Sequence, residues 1–214
     1  MTDCIYLPVS LGESIDKLTI LDIKLQKIQD KRRDDVQREY DMLYKILEPY
    51  VSKYADLYRT MLQVNLLIWN MMDLLRDESL EESEYLLICK ECIEYNDVRF
   101  RVKNKFNYVS NSTLKEQKGY KVNRLIMDIG SAKGDFIRCI RYCSFIYDQL
   151  VIVSNNATLK DEFTYDPTIL FVDRCDDSEC KKRVVFQDLM EYNLETIYEI
   201  FGIDEKAVQS ITNV

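Results

Sequence analysis

The chain has 214 residues and no histidine, so whatever chemistry it does rests on other groups. Imidazole acid–base catalysis, Ser-His-Asp triads, Cys-His pairs and most catalytic zinc sites are removed. Asp, Glu, Lys, Tyr, Cys or a bound cofactor remain. The polar residues that could serve fall in three groups. In the first, Asn65, Trp69, Asp73 and Arg76 follow at steps of four, four and three, which places them on one face of a helix. Asn96, Arg99 and Lys103 repeat the pattern at steps of three and four, and Glu13 and Lys17 lie one turn apart. Such lines are either solvated faces laced with ion pairs, with Glu13 simply a cap, or the walls of a polar pocket between helices floored by Trp69.

The second group is a run of charge. Between Arg99 and Arg124 stand eight basic residues (Arg99, Arg101, Lys103, Lys105, Lys115, Lys118, Lys121, Arg124) against one acid, Glu116. Phe100, Phe106, Tyr108 and Tyr120 are interleaved. In a chain of net charge −8 this local excess suits phosphate groups. Arg99, Lys103 and Lys118 would hold the oxygens, Tyr120 would flank the ligand and Glu116 would orient a lysine. The plainer alternative is a solvated basic helix end, favoured by the helix dipole. Third is Asp128-Ile129-Gly130-Ser131-Ala132-Lys133-Gly134-Asp135-Phe136. Asp128, Gly130 and Gly134 form a D-x-G-x-x-x-G pattern at a strand-to-helix junction, where glycines let backbone amides approach a cofactor. This looks like the first motif of S-adenosylmethionine-dependent methyltransferases. The next strand, however, ends in Ser154-Asn155-Asn156, without the acid that would hold a ribose, and binding of that cofactor is not expected.

These groups need elements to position them. Ser10-Leu11-Gly12-Glu13 has the form of a capping box, in which Ser and Glu satisfy each other's backbone amides. A first helix runs on through Ile15, Leu18, Leu21, Leu25 and Ile28, and Arg32-Arg33-Asp34 breaks it. A second helix carries Val36, Tyr40, Leu43, Leu47 and Tyr50, with Pro49 near its end. A third is expected from Leu57 to Arg76 and a fourth from Leu80 to Asn107. After Asn111-Ser112 the pattern changes to short β-branched runs at 125–127, 150–153, 169–172 and 184–186. Helical stretches at about 135–147 and 188–201 separate some of them. Strand–helix–strand alternation predicts a mostly parallel sheet. The expected fold class is α+β: a bundle of about four helices over residues 1–120, then a small, partly Rossmann-like α/β unit over 121–214 with three or four strands.

Composition bounds the rest. Apolar residues make up 47% of the chain, with five glycines and three prolines, which means mostly regular structure. The negative charge argues against a nucleic-acid coat. No apolar run has the ~18 residues of a membrane span, and no signal-peptide pattern is visible at the start. Seven cysteines in no disulfide framework suit a reducing compartment, so a soluble, cytoplasmic chain is expected. Cys89-x-x-Cys92 falls inside a helical pattern without a second pair and reads as ordinary buried thiols. No metal site is expected, and no residue stands out as catalytic.

The segment Pro8-Val9-Ser10-Leu11-Gly12-Glu13-Ser14-Ile15-Asp16-Lys17-Leu18-Thr19-Ile20-Leu21-Asp22-Ile23-Lys24 resembles the opening of a family of helical domains found in bacterial surface-polysaccharide clusters, beside glycosyltransferases or fused to them. The resemblance continues at Val64 to Trp69, at Asp73 and Arg76, at Tyr95 to Phe100 with Lys103, and at Lys115 to Tyr120. It covers residues 5–120, and it includes most of the polar positions above. It implies a context of glycan or nucleotide-sugar metabolism, and carries no established activity. The C-terminal part resembles the N-terminal half of a two-domain glycosyltransferase at Gly134-Asp135-Phe136, Tyr147 to Val153 and Asp166 to Ile169. A complete enzyme of that kind needs two such halves. The expectation is therefore a glycosylation-associated accessory protein recognising a phosphorylated sugar, a nucleotide-sugar or a glycosyltransferase partner. A small glycosyl or methyl transferase using the Gly130–Gly134 turn, and a pure protein-interaction module, are the alternatives.

Overall fold

The computed structural model describes residues 5–119, 121–176, 180, 182–188 and 190–201. The chain divides into two compact units between Gln117 and Lys118. The first consists of four helices: α1 (Leu11–Lys27), α2 (Arg32–Lys53), α3 (Ala55–Leu74) and α4 (Glu82–Val109). Helix α1 packs against all three others. Its Ile15, Leu18, Leu21 and Ile23 are buried because they recur on the core-facing side of a 3.6-residue period. Ser10 caps it, its Oγ accepting from the Glu13 N–H at 3.2 Å. The reciprocal half of the expected capping box does not form, because the Glu13 carboxylate is drawn to Lys103 instead. The break after α1 comes at residues 28–31, and Arg32 begins the next helix rather than interrupting the first. Pro49 lies inside α2, where it removes one backbone hydrogen bond near the C-terminal end. Only Leu47 of α2 is buried.

The second unit alternates strand and helix: β1 (Arg124–Gly130), β2 (Lys133–Gly134), α5 (Phe136–Ile146), β3 (Gln149–Ser154), α6 (Ala157–Glu162), β4 (Ile169–Val172), β5 (Arg183–Val185), β6 (Glu191–Tyr192) and α7 (Leu194–Phe201). Four strands form a sheet in the order β4-β3-β1-β5, and every pair is parallel. The chain thus winds outward from β1 through β3 to β4, then returns to the other side of β1. The strands read as near-continuous apolar runs, as parallel strands covered on both faces do. Ile126, Met127, Leu150 and Ile152 are fully buried. The helix expected from residue 188 starts only at Leu194, because Glu191 and Tyr192 pair with Lys133 and Gly134. Among the described residues no helix is long and apolar enough to cross a membrane.

Candidate functional site

The first unit carries a polar cluster where α1 meets α4, and Gly12 makes it possible. A Cβ at Gly12 would collide with the backbone carbonyl oxygen of Lys103, so only glycine lets the two backbones come this close. The Gly12 N–H, an orphan donor of the first helical turn, donates to Asn107 Oδ1 at 2.8 Å. Asn107 is fully buried, and its Nδ2 donates to Asn104 Oδ1 at 3.3 Å. Asn104 in turn donates to the Glu116 carbonyl at 3.4 Å. A chain of amides thus ties the start of α1, the end of α4 and the segment after it.

Two charged arrangements sit on this frame. Lys103, only 7% exposed, places Nζ 3.0 Å from Glu13 Oε2 and 2.5 Å from Glu116 Oε2. The contact to Glu116 is short but poorly angled for a hydrogen bond. Both glutamates keep part of their side chains in solvent. On α1, Asp16 is 6% exposed and Thr19 fully buried. Asn65 of α3 donates to both, at 2.8 Å to Asp16 Oδ1 and 2.9 Å to Thr19 Oγ1. Burial pushes the Asp16 carboxyl above the usual carboxylate range, against the Asn65 hydrogen bond and the charges of Arg99 and Lys103. For Lys103, burial alone would lower the pKa; the close carboxylates of Glu116 and Glu13 and the Asp16 charge outweigh it and raise it.

Glu13, Asn65, Arg99 and Lys103 of the sequence-derived set therefore gather around Asp16, with half-buried Arg99 acting through its charge. Others do not join. Lys17 turns outward to Glu39, at 2.7 Å. Asp73 pairs with Arg76 at 3.0 Å on an exposed surface, and Asn96 is exposed. Asn65 and Asp73 do share a helix face, but eight residues put about 12 Å of axis between them, so a common phase did not bring a common site. Trp69, one turn beyond Asn65, is half-buried. The basic run is also partitioned. Lys103 is held by two glutamates, Lys115 lies over the Tyr108 ring at 5.7 Å, and Arg124 donates to Gln149 on β3 at 2.7 Å. Lys118 belongs to the second unit, and Tyr120 lies outside the described residues. Asp16, Thr19, Asn104 and Asn107 were missed. Their signal was polar residues at the helical phase of the core, beside Ile15, Leu18 and Phe106.

In the second unit, the glycine turn is already occupied by the chain. Gly130 has φ +53°, a left-handed conformation that glycine adopts without strain. The Ser131 N–H and Oγ–H both donate to Asp188 Oδ1 at 2.9 Å. These bonds hold the Asp188 carboxyl below its usual range. A Cβ on Gly130 would collide with the same oxygen. Asp128 is paired with Arg183 of β5 at 2.8 Å, and Gly134 is taken up in the β2–β6 pairing. The turn's polar groups therefore serve internal partners. Beside it, at the carboxyl ends of β3 and β4, lies a pocket of about 230 Å³ lined by Ser154 to Ala157, Lys160 and Phe171 to Asp173.

In comparison with known proteins, the model of a family of unknown function, DUF6165, matches residues 5–132. That span holds all four helices, the polar cluster and β1. No curated protein and no solved structure matches the chain.

Proposed function

The chain belongs to the DUF6165 family of unknown function, and on that premise we propose that its helical unit is a binding module for a phosphorylated sugar, serving glycan assembly as an accessory rather than as the transferase. One observation carries this: a nearly buried lysine shared by two part-exposed glutamates, next to a buried aspartate with a raised pKa. Placing such groups inside a small helical bundle is costly, and ionisable groups strained in this way cluster at functional sites. The chemistry suits a sugar. Carboxylates and amides accept and donate to hydroxyls, while Lys103, already neutralised by its glutamates, leaves Arg99 as the group for a phosphate. The resemblance of residues 5–120 to domains encoded beside glycosyltransferases supports the glycan context. A transferase working through the Gly130–Gly134 turn would first have to displace Asp188.

The test is a thermal-shift and calorimetric screen of sugar phosphates and nucleotide-sugars, since a ligand of the native state raises its melting temperature. A sugar phosphate should stabilise the wild type. Arg99→Ala should weaken its binding by roughly tenfold or more, the scale of a lost charge-assisted hydrogen bond, and Glu13→Gln should weaken it as well. A panel with no stabilising member, or unchanged affinity in both variants, would overturn the reading and leave the bundle as a protein-interaction module.

A further inference from the structure

We propose that the second unit binds a nucleotide in the pocket at the carboxyl ends of β3 and β4, independently of the helical site. Three observations converge on this pocket. The first is its place in the fold. In open parallel sheets, ligands bind outside the carboxyl ends of the strands, near the point where the winding reverses. Here the winding reverses between β1 and β5, and the pocket lies along the same carboxyl edge on the adjoining strands β3 and β4. The pocket borders the β1 turn directly, because Ser154 pairs with Gly130 and donates from Oγ to its carbonyl at 3.4 Å.

The second is size. At about 230 Å³ the pocket falls just under the ~300 Å³ lower bound of small-molecule sites. It has room for a base, with the ribose and phosphate at its rim where Asp173 and Lys160 are exposed, and not for a dinucleotide. The third is the lining. Phe171 supplies an aromatic face against which a base can stack. Asp173 supplies a carboxylate able to accept from ribose hydroxyls, and Asn155 offers an amide to base edges. Lys160 supplies a cation for a phosphate. Among the described residues no carboxylate pairs with Lys160 and no cation pairs with Asp173. The neighbouring turn cannot take the phosphate while Asp188 fills it, which assigns that role to Lys160.

The experiment titrates the full chain with AMP, ADP, UMP, UDP and the parent nucleosides, and follows backbone amide shifts by NMR. The nucleotides carry a ribose phosphate, so the two sites are told apart by where the shifts fall: at residues 154–157 and 171–173 for this pocket, and around Glu13, Asp16, Asn65 and Lys103 for the helical site. Expected are shifts centred on residues 154–157 and 171–173, with Phe171→Ala weakening every bound probe by roughly tenfold or more. Lys160→Ala should weaken the nucleotides and leave the nucleosides unchanged, and Asp173→Asn should weaken both. These last two positions are exposed, so their variants report on binding even where Phe171→Ala disturbs the fold. The absence of any nucleotide response at millimolar concentration would overturn the proposal. So would shifts confined to other residues, or affinities unchanged in both Lys160→Ala and Asp173→Asn.

Discussion

Asp16 and Lys103 lie in one cluster, and pH acts on them with the same sign but in different ranges, acid for the carboxyl and alkaline for the ammonium. The Asp16 carboxyl has a raised pKa in the folded chain, so the native state holds that proton more tightly than the unfolded one. Below the unfolded value of about 3.9 this has no effect on stability, and stability is lost as pH rises toward and through the folded value. Asp16→Asn removes that loss. In urea denaturation across acid to neutral pH, the difference between variant and wild type should move in the variant's favour as pH rises. A difference that stays constant with pH would show that Asp16 is not perturbed. For Lys103, also raised, the stabilisation is fully present below about 10.4 and disappears as pH rises through the folded value. Lys103→Met should therefore cost stability at neutral pH and progressively less at alkaline pH. About 1.5–3 kcal/mol is the scale of a hydrogen bond to a charged group, and the lower end applies because both glutamates are partly in water.

Among the elements, the α1–α4 crossing decides whether the site exists. Two effects compete when Gly12 becomes alanine. Helix propensity favours the change by up to ~1 kcal/mol. The collision with the Lys103 carbonyl opposes it, and overpacking typically costs about 1–3 kcal/mol. The obstructing atom is backbone, which cannot swing aside as a side-chain tip can, so the collision should win. Gly12→Ala should lower the denaturation midpoint and weaken sugar-phosphate binding together, as the helices separate and Glu13 leaves Lys103. A variant more stable than the wild type would show that the helices are not in backbone contact. Helix extents were legible in the sequence, since α1 and α4 begin and end within about two residues of the expected positions, the usual spread at helix termini. The role of Glu13 was not. Ser10-Leu11-Gly12-Glu13 has the spacing of a capping box, but spacing cannot announce a lysine on another helix that competes for the same carboxylate.

For the whole molecule, the sequence by itself determined a four-helix unit followed by a small parallel α/β unit. Hydrophobic period is a local property, set by how each segment must turn its apolar side inward. The β-branched runs at β1, β3, β4 and β5 carry that information within a few residues each. The tertiary structure alone decided which polar groups meet. Glu13 and Lys103 are 90 positions apart, and Asp16 and Asn65 are 49 apart. Their pairing depends on where two helix axes cross, which no periodicity encodes. The same limit explains Asp73 and Asn96, which have the right phase but lie at the wrong height along their helices. It also explains Asp188, brought onto the Gly130 turn from 57 residues beyond Ser131. Phase along one element is written in the chain. Distance between elements is set by packing, where a single missing Cβ at Gly12 fixes how closely two backbones approach.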